Sequence, residues 1–276
     1  MTVNDSSRIQ VSASRLKTWL MCPLRWAAVY LEGKPLQMTP AMAFGRALHA
    51  ALEELHRARW LGRAPEDLVA VFVDVFGAHT VLAEDVDASA PTDPARAVLK
   101  QSELEKALLH ARELTAHYLD RFPDEGVEAA EIKLHSALVD PVTGEDLGAD
   151  LTGVVDLITA DGRVVDIKTT ARASGELQTV LGHQLQIDAY RYLLQAHRPE
   201  AALAVAEIRS LIRGKLCRLE VTEIPTRGLG AFMAMVRAYL ADVRSGKLLP
   251  RPSFLCSPSC PAISSCCQHH GLEVPA

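Results

Sequence analysis

The chain has 276 residues, 49% of them apolar, and a formal net charge of −5. That length suits one large domain or one domain with a helical elaboration, and the composition excludes intrinsic disorder. No run approaches the ~18 apolar residues of a membrane span. The polar opening MTVNDSSRIQ lacks the apolar core of a signal peptide, so the cytoplasm is the expected compartment.

A helix is predicted over 12–31, capped by Ser12 or Ser14, with Leu16, Trp19, Leu20 and Trp26 as its apolar stripe. Pro23 inside that pattern implies a break or kink. A second helix is expected over 41–61, where Phe44, Leu48, Leu52 and Leu55 recur at helical spacing, and a third over 65–78. The acidic stretch 84–93 reads as a surface loop, and a long helix follows over 94–122. The texture then changes to short β-branched runs over 128–139, 151–159 and 163–168, divided by the turn signals Pro141-Val142-Thr143-Gly144 and Asp161-Gly162. An amphipathic helix over 177–197 precedes a hairpin of strands 203–212 and 216–224 around Arg213-Gly214. A helix over 227–245 and a loop after Leu249 complete the chain. The order gives an α/β fold, a mixed core preceded by a helical region. The expected divisions are 1–126, a helical region; 127–248, the core; and 249–276, a cysteine-bearing loop.

Asp156, Asp166 and Lys168 carry the most chemistry. Residues two apart on a strand share a face, so Asp166 and Lys168 point the same way with Ile167 opposed. A turn at Asp161-Gly162 places residues 156 and 166 roughly opposite each other, where two carboxylates repel. Burying them is costly unless a positive charge lies between, and hard oxygen ligands suit Mg²⁺ or Mn²⁺. Lys168 would then orient water and stabilise charge on a phosphate. The bland alternative is a solvent-facing hairpin with an ordinary Asp–Lys pair.

A Gly-h-h-Asp strand followed by Asp-x-Lys on the next (GVVD, then DIK) resembles the signature of PD-(D/E)xK nucleases. Further marks resemble the RecB-like branch. Gly45-Arg46-Ala47-Leu48-His49 matches its Gly-x-x-x-His, which implies His49 as a metal ligand. Gln186 and Tyr190 match its Gln and Tyr on the helix after the Lys strand; four residues apart, they share a helix face. Glu131 lies on the strand before the Asp strand. The resemblance implies a mixed central sheet of the restriction-endonuclease-like type flanked by helices. It also implies metal held by His49, Asp156, Asp166 and the Ile167 carbonyl, with Lys168 assisting water and Gln186 and Tyr190 orienting the strand to be cut.

The six cysteines are placed unevenly: Cys22 near the start, Cys217 alone, and Cys256, Cys260, Cys266 and Cys267 within twelve residues. Such clustering in a reducing compartment points to metal ligation rather than disulfides. Four thiolates can hold zinc or an iron–sulfur cluster, and spacing alone does not separate the two. The stretch SASRLKTWLMCPLRW and the later Cys256-x3-Cys260-x5-Cys266 resemble the 4Fe-4S set of AddB-type and CRISPR-associated RecB-like nucleases. The first gap is one residue longer than usual there, and Cys267 is an alternative to Cys266. Cys217, on a strand, reads as a buried apolar residue.

Charge adds a little about partners. Residues 1–60 carry eight Lys/Arg against four Asp/Glu and residues 177–276 eleven against seven, whereas 61–131 carry six against fifteen. Basic ends suit a DNA phosphate backbone, and ordinary helix faces explain them equally well. Trp19, Trp26 and Tyr30 are either stacking surfaces or core. There is no G-x-x-x-x-G-K-[ST] phosphate loop, so any helicase partner is a separate chain, as CRISPR adaptation proteins would also be. The expected function is a metal-dependent DNA exonuclease acting on single strands or ends. The alternative is a non-catalytic DNA-binding or assembly subunit with a retained nuclease fold.

Overall fold

The computed structural model describes residues 8–86, 93–198, 205–253 and 256–274. The opening residues 1–7, the middle of the acidic segment 84–93 and the expected strand start at 203 lie outside the described residues.

Strand β1 (Ile9–Val11) leads into helices α1 (Ala13–Met21) and α2 (Pro23–Tyr30). The Ser12 side chain caps α1 by accepting from the Arg15 amide at 3.2 Å. Cys22, extended at φ −165°, is the C-cap of α1 and the N-cap of α2, with Pro23 at the first helical position. The expected break at Pro23 is therefore a joint between two helices, with Cys22 at the joint.

Helices α3 (Pro40–Trp60), α4 (Leu68–Ala78) and α5 (Gln101–Arg121) follow. Helix α4 begins later than expected because Asp67 caps it, accepting from the Val69 and Ala70 amides. Helix α5 begins at Gln101 rather than near 94 because strand β3 (Ala97–Leu99) lies there, parallel to β2 (Thr80–Leu82).

The main sheet comprises β1, β4 (Val127–Val139), β5 (Asp146–Thr159), β6 (Val164–Thr170), β7 (Ala206–Arg213) and β8 (Cys217–Ile224). It is mixed: β6 and β7 run parallel, as do β1 and β5, and the other pairs are antiparallel. Strand β4 occupies one whole edge of β5, so β1 and β6 must share the other. Strand β1 takes Ala149–Leu151 and β6 takes Leu157 and Ile158. Between them β5 forks away from β6.

Both faces of the sheet are covered. Leu157, Val165, Ile167 and Leu211 pack with Phe44, Leu48, Phe72 and Leu114 of α3, α4 and α5. Val155, Ile158, Val164 and Ile208 pack with Ile187, Tyr190 and Leu194 of α6 (Glu176–His197). A third cluster joins Val11, Leu16, Trp19 and Trp26 to Leu151, α6 and α7 (Gly230–Ser245). Trp19 and Trp26 thus belong to the core, each meeting Tyr239 edge-on. Helix α7 begins at Gly230 rather than 227, the Arg227 guanidinium being held by Asp188 at 2.6 Å. The tail expected to be loop throughout contains α8 (Ile263–His270), closed by Gly271 at φ 65°. Among the described residues no helix is long and apolar enough to cross a membrane.

Opposite α6, Arg209 of β7 is fully buried. Its guanidinium donates to Glu207 at 2.7 Å, to Glu125 at 2.6 Å and to the Tyr118 hydroxyl at 2.5 Å, and the Phe122 ring lies beneath it. Removing one member of such a group strands the rest without a partner. Arg209→Met should lower unfolding free energy by about 3–5 kcal/mol in urea titrations, whereas the exposed Arg218→Met should change it by less than about 0.5. Equal effects would show that the buried network contributes nothing.

Candidate active site at the fork between two strands

The β5–β6 ladder persists only at Leu157–Val165 and Ile158–Val164. At the next pair its role passes to a side chain: the Ile167 amide donates to Asp156 Oδ2 at 2.7 Å. Asp166 faces α6, and Asp156 stands at the position opposite it, its carboxylate turned to the Ile167 amide and toward His49.

Two glycines let helices close on this fork. A Cβ on Gly45 would stand 2.8 Å from Thr169 Oγ1, so α3 can cross β6 this closely only with glycine there. One turn later His49 meets the Ile167 carbonyl oxygen through Nε2 at 2.7 Å, while its Nδ1 lies 3.9 Å from Asp156 Oδ2. With Nε2–H donating to that carbonyl, Nδ1 is the nitrogen left to bind a cation. On the other face, a Cβ on Gly153 would stand 2.9 Å from Leu193 Cδ1, close to the Tyr190 ring.

Glu131 stands across the β4–β5 ladder from Asp156, between the pairs Ala130–Leu157 and Ile132–Val155. It holds a left-handed backbone at φ 51°, where no other described non-glycine residue has positive φ. A Glu in that conformation stores strain of about 1–3 kcal/mol, which suits a functional position. Ligand atoms of His49, Glu131 and Asp156 all fall within 4.8 Å of one another.

The carboxylates bear on each other. Burial first, then the Asp156 charge, pushes Glu131 up to about 7. Burial and then Asp166 likewise push Asp156 up, opposed by His49, Lys168 and the Ile167 amide. Asp166 is fully buried. Its Oδ1 accepts from Gln186 Nε2 at 2.7 Å and from the Tyr190 hydroxyl at 3.3 Å, and its Oδ2 lies 2.7 Å from Lys168 Nζ. Gln186 Nε2 also donates to the Tyr190 oxygen at 2.7 Å. The helix pair Gln186–Tyr190 thus grips Asp166 itself. Burial and the two aspartates hold the Tyr190 phenol protonated, pushing its pKa up.

Two residues of this site escape sequence reasoning. Lys17 of α1 donates to Gln186 Oε1 at 3.0 Å, which fixes the amide with its nitrogen toward Asp166. Burial and then Lys168 lower the Lys17 pKa, against Asp166. His183, one turn before Gln186, is pushed down to about 4 by burial and then by Lys17 and Lys168. Neither lies in a recognisable spacing: Lys17 sits in a helix whose visible signal is its apolar stripe.

The cysteines converge some way off. Cys22, Cys256, Cys260 and Cys266 line one hollow that is open to solvent. Cys267 is buried and does not line it. Burial and then the Cys22, Cys256, Cys267 and Cys260 thiols push Cys266 up. Backbone amides point at two of the sulfurs, Arg251 N–H at Cys22 (3.4 Å) and Ser253 N–H at Cys256 (3.2 Å). Cys217 is buried on β8.

The family model of the PD-(D/E)XK nuclease superfamily matches residues 10–267. The chain belongs to that superfamily. The crystal structure of a candidate exonuclease from Eubacterium rectale shares the fold at TM-score 0.58, with 12% identity over 100% of this chain and 96% of that one. The structure of SSO0001, 14% identical over 91% of this chain and 81% of that one, aligns at TM-score 0.38, too low to inform the comparison. Among curated proteins no sequence matches.

A raised carboxyl keeps its proton in the folded state at pH values where the unfolded chain, near 4.5, has already lost it. The metal-free nuclease therefore loses stability as pH rises from about 4.5 through 7. Without divalent ions, Glu131→Gln should melt above the parent protein at pH 8 and together with it at pH 4. A variant melting below the parent at pH 8 would show that Glu131 is not under electrostatic stress.

Proposed function

We propose that this protein is a divalent-metal-dependent DNA exonuclease acting on single strands or DNA ends, braced by a 4Fe-4S cluster on its four converging cysteines. The observation that carries the nuclease reading is the acidic fork. His49, Glu131 and Asp156 converge within 4.8 Å, Asp166 lies beside them, and Lys168 is within 2.7 Å of Asp166. Carboxyls that repel each other and hold protons against neutral pH form a donor set that fits a hard cation.

His49, Glu131 and Asp156 would hold Mg²⁺ or Mn²⁺, with Asp166 and the Ile167 carbonyl at its border. Bound there, such an ion would supply charge neutralisation at the phosphate and a more acidic water. The chain's own residues do the rest. Asp166, gripped by Gln186 and Tyr190, holds Lys168 in place. Lys168 orients the attacking water and donates toward the phosphate oxygen on which charge develops. Hydrolysis forms one P–O bond to water and breaks the P–O bond to the departing sugar oxygen, which takes up a proton. Lys17 and Gln186 keep the Asp166 carboxylate aimed.

One observation favours the cluster over zinc. Four sulfurs each 2.3 Å from one zinc ion would stand about 3.8 Å apart. Among the described residues, however, no three cysteine sulfurs fall within 4.8 Å of one another. Amide N–H groups aimed at sulfur suit thiolates held by either occupant. Either occupant would tie Cys22 to the chain's other end across more than 230 residues. DNA repair or recombination and CRISPR adaptation both accommodate this activity, beside a separate helicase or adaptation proteins in the cytoplasm.

Protein purified without oxygen should be brown, absorb near 400 nm, and degrade end-labelled single-stranded DNA with Mn²⁺ or Mg²⁺. Asp166→Ala and Lys168→Ala should each lower the rate by at least about a hundredfold while the protein stays folded. Cys256→Ala should lose the colour. Full activity in both active-site variants would refute the nuclease centre, and a colourless zinc-loaded protein would refute the cluster alone.

A further inference from the structure

A second cationic site lies around the end of β6 from Lys168. Helix α5 contributes Lys106 and His110, β7 contributes Arg213 at its last residue, α3 contributes Phe44, and Ala171 directly follows β6. These residues line a hollow open to solvent. Arg213 is half-buried, and its guanidinium carbon stands 4.9 Å from the Phe44 ring centroid. That ring is its partner: among the described residues no carboxylate or hydrogen-bond acceptor is paired with it. Lys106 likewise has no ion pair. Burial lowers Arg213 with nothing to offset it. His110 is lowered by burial and then by Lys106, with Arg213 adding to the effect against Glu113. Two cationic side chains and a histidine whose protonation they oppose therefore face one hollow. Glu103, the acid at its rim, is turned to the Lys100 amide as the helix cap.

The fully buried arginines have oxygen partners: Arg209 with Glu125 and Glu207, Arg191 with Asp188 and Thr226. A guanidinium partly withdrawn from water without one costs free energy that an anion would offset. Strand rise puts Ala171 ~10 Å from Lys168. Phosphates repeat along one DNA strand, so a strand held at the fork would present another phosphate within that reach. An aromatic ring under the guanidinium keeps the fork open toward a planar, bidentate anion.

We propose that Arg213, Lys106 and His110 form a subsite for a DNA phosphate flanking the one that is cut. The inference rests on the nuclease reading above and deepens it, by naming where the strand continues beyond the catalytic fork. Arg213 makes the principal contact, Lys106 adds charge at the exposed rim, and His110 closes the floor.

The test uses the cluster-loaded full chain, Mn²⁺ and a series of single-stranded oligonucleotides. Each oligonucleotide has one phosphate replaced by a neutral methylphosphonate. The parent protein should show one flanking position, distinct from the cleaved one, where neutralisation raises KM about tenfold and leaves kcat unchanged. In Arg213→Met that position should lose its effect, with KM raised about tenfold on every substrate. The slope of log affinity against log salt should fall by ~0.7. Lys106→Met, on the exposed face of α5, should give a smaller change of the same kind without any risk to folding. Retention of the methylphosphonate effect in both variants would overturn the subsite. An inactive parent protein would instead refute the nuclease reading, a result distinguishable from the first.

Discussion

Negative charge concentrated where two strands part is the constraint on which this structure depends. Strand β5 cannot stay paired with β6 beyond Leu157 because Asp156 turns its carboxylate onto the Ile167 amide. That bond keeps the backbone donor satisfied while the ladder opens, and it fixes one carboxylate beside a second, Asp166, and a third, Glu131. In a partly desolvated site such a group is unstable by itself, as the upward shifts of Glu131 and Asp156 record. The fold carries that instability because three core clusters and the buried Arg209 network stabilise it elsewhere.

Every element around the fork serves to deliver a side chain to it. The absence of a Cβ at Gly45 sets the distance between α3 and β6, and with it the reach of His49. Gly153 does the same for α6 and so for Tyr190. Gln186 is the junction: its oxygen takes Lys17 and its nitrogen serves Asp166 and Tyr190. Helix α1 carries Lys17 in its middle and Cys22 at its end, so the cysteine hollow and the Asp166 carboxylate share one short rigid element. This physical continuity is why the chain's two termini and its centre form a single working unit.

Much of this was legible in residue order. Alternation alone puts Asp166 and Lys168 on one face, and the Asp161-Gly162 turn brings Asp156 opposite, which the register bears out. The separation Gln186–Tyr190 gave a shared helix face, though their immediate partner is Asp166. Strands β1, β2 and β3 stayed hidden because three residues hold too little alternation to register. Helix α8 was hidden because ISSCCQHH has no apolar stripe. Lys17 and the left-handed Glu131 depend on tertiary placement and backbone strain, for which a single sequence carries no periodic signal. The cationic hollow around Arg213 draws on α3, α5 and two strands, so no segment of sequence displays it.

The most direct test of the account is anomalous scattering from crystals soaked in Mn²⁺ at pH 8. The account predicts one strong peak within coordination distance of His49 Nδ1, a Glu131 oxygen and an Asp156 oxygen, absent from Asp156→Asn crystals. A peak elsewhere with the fork empty, or an unchanged peak in the variant, would contradict the claim that this charge cluster exists to hold a cation.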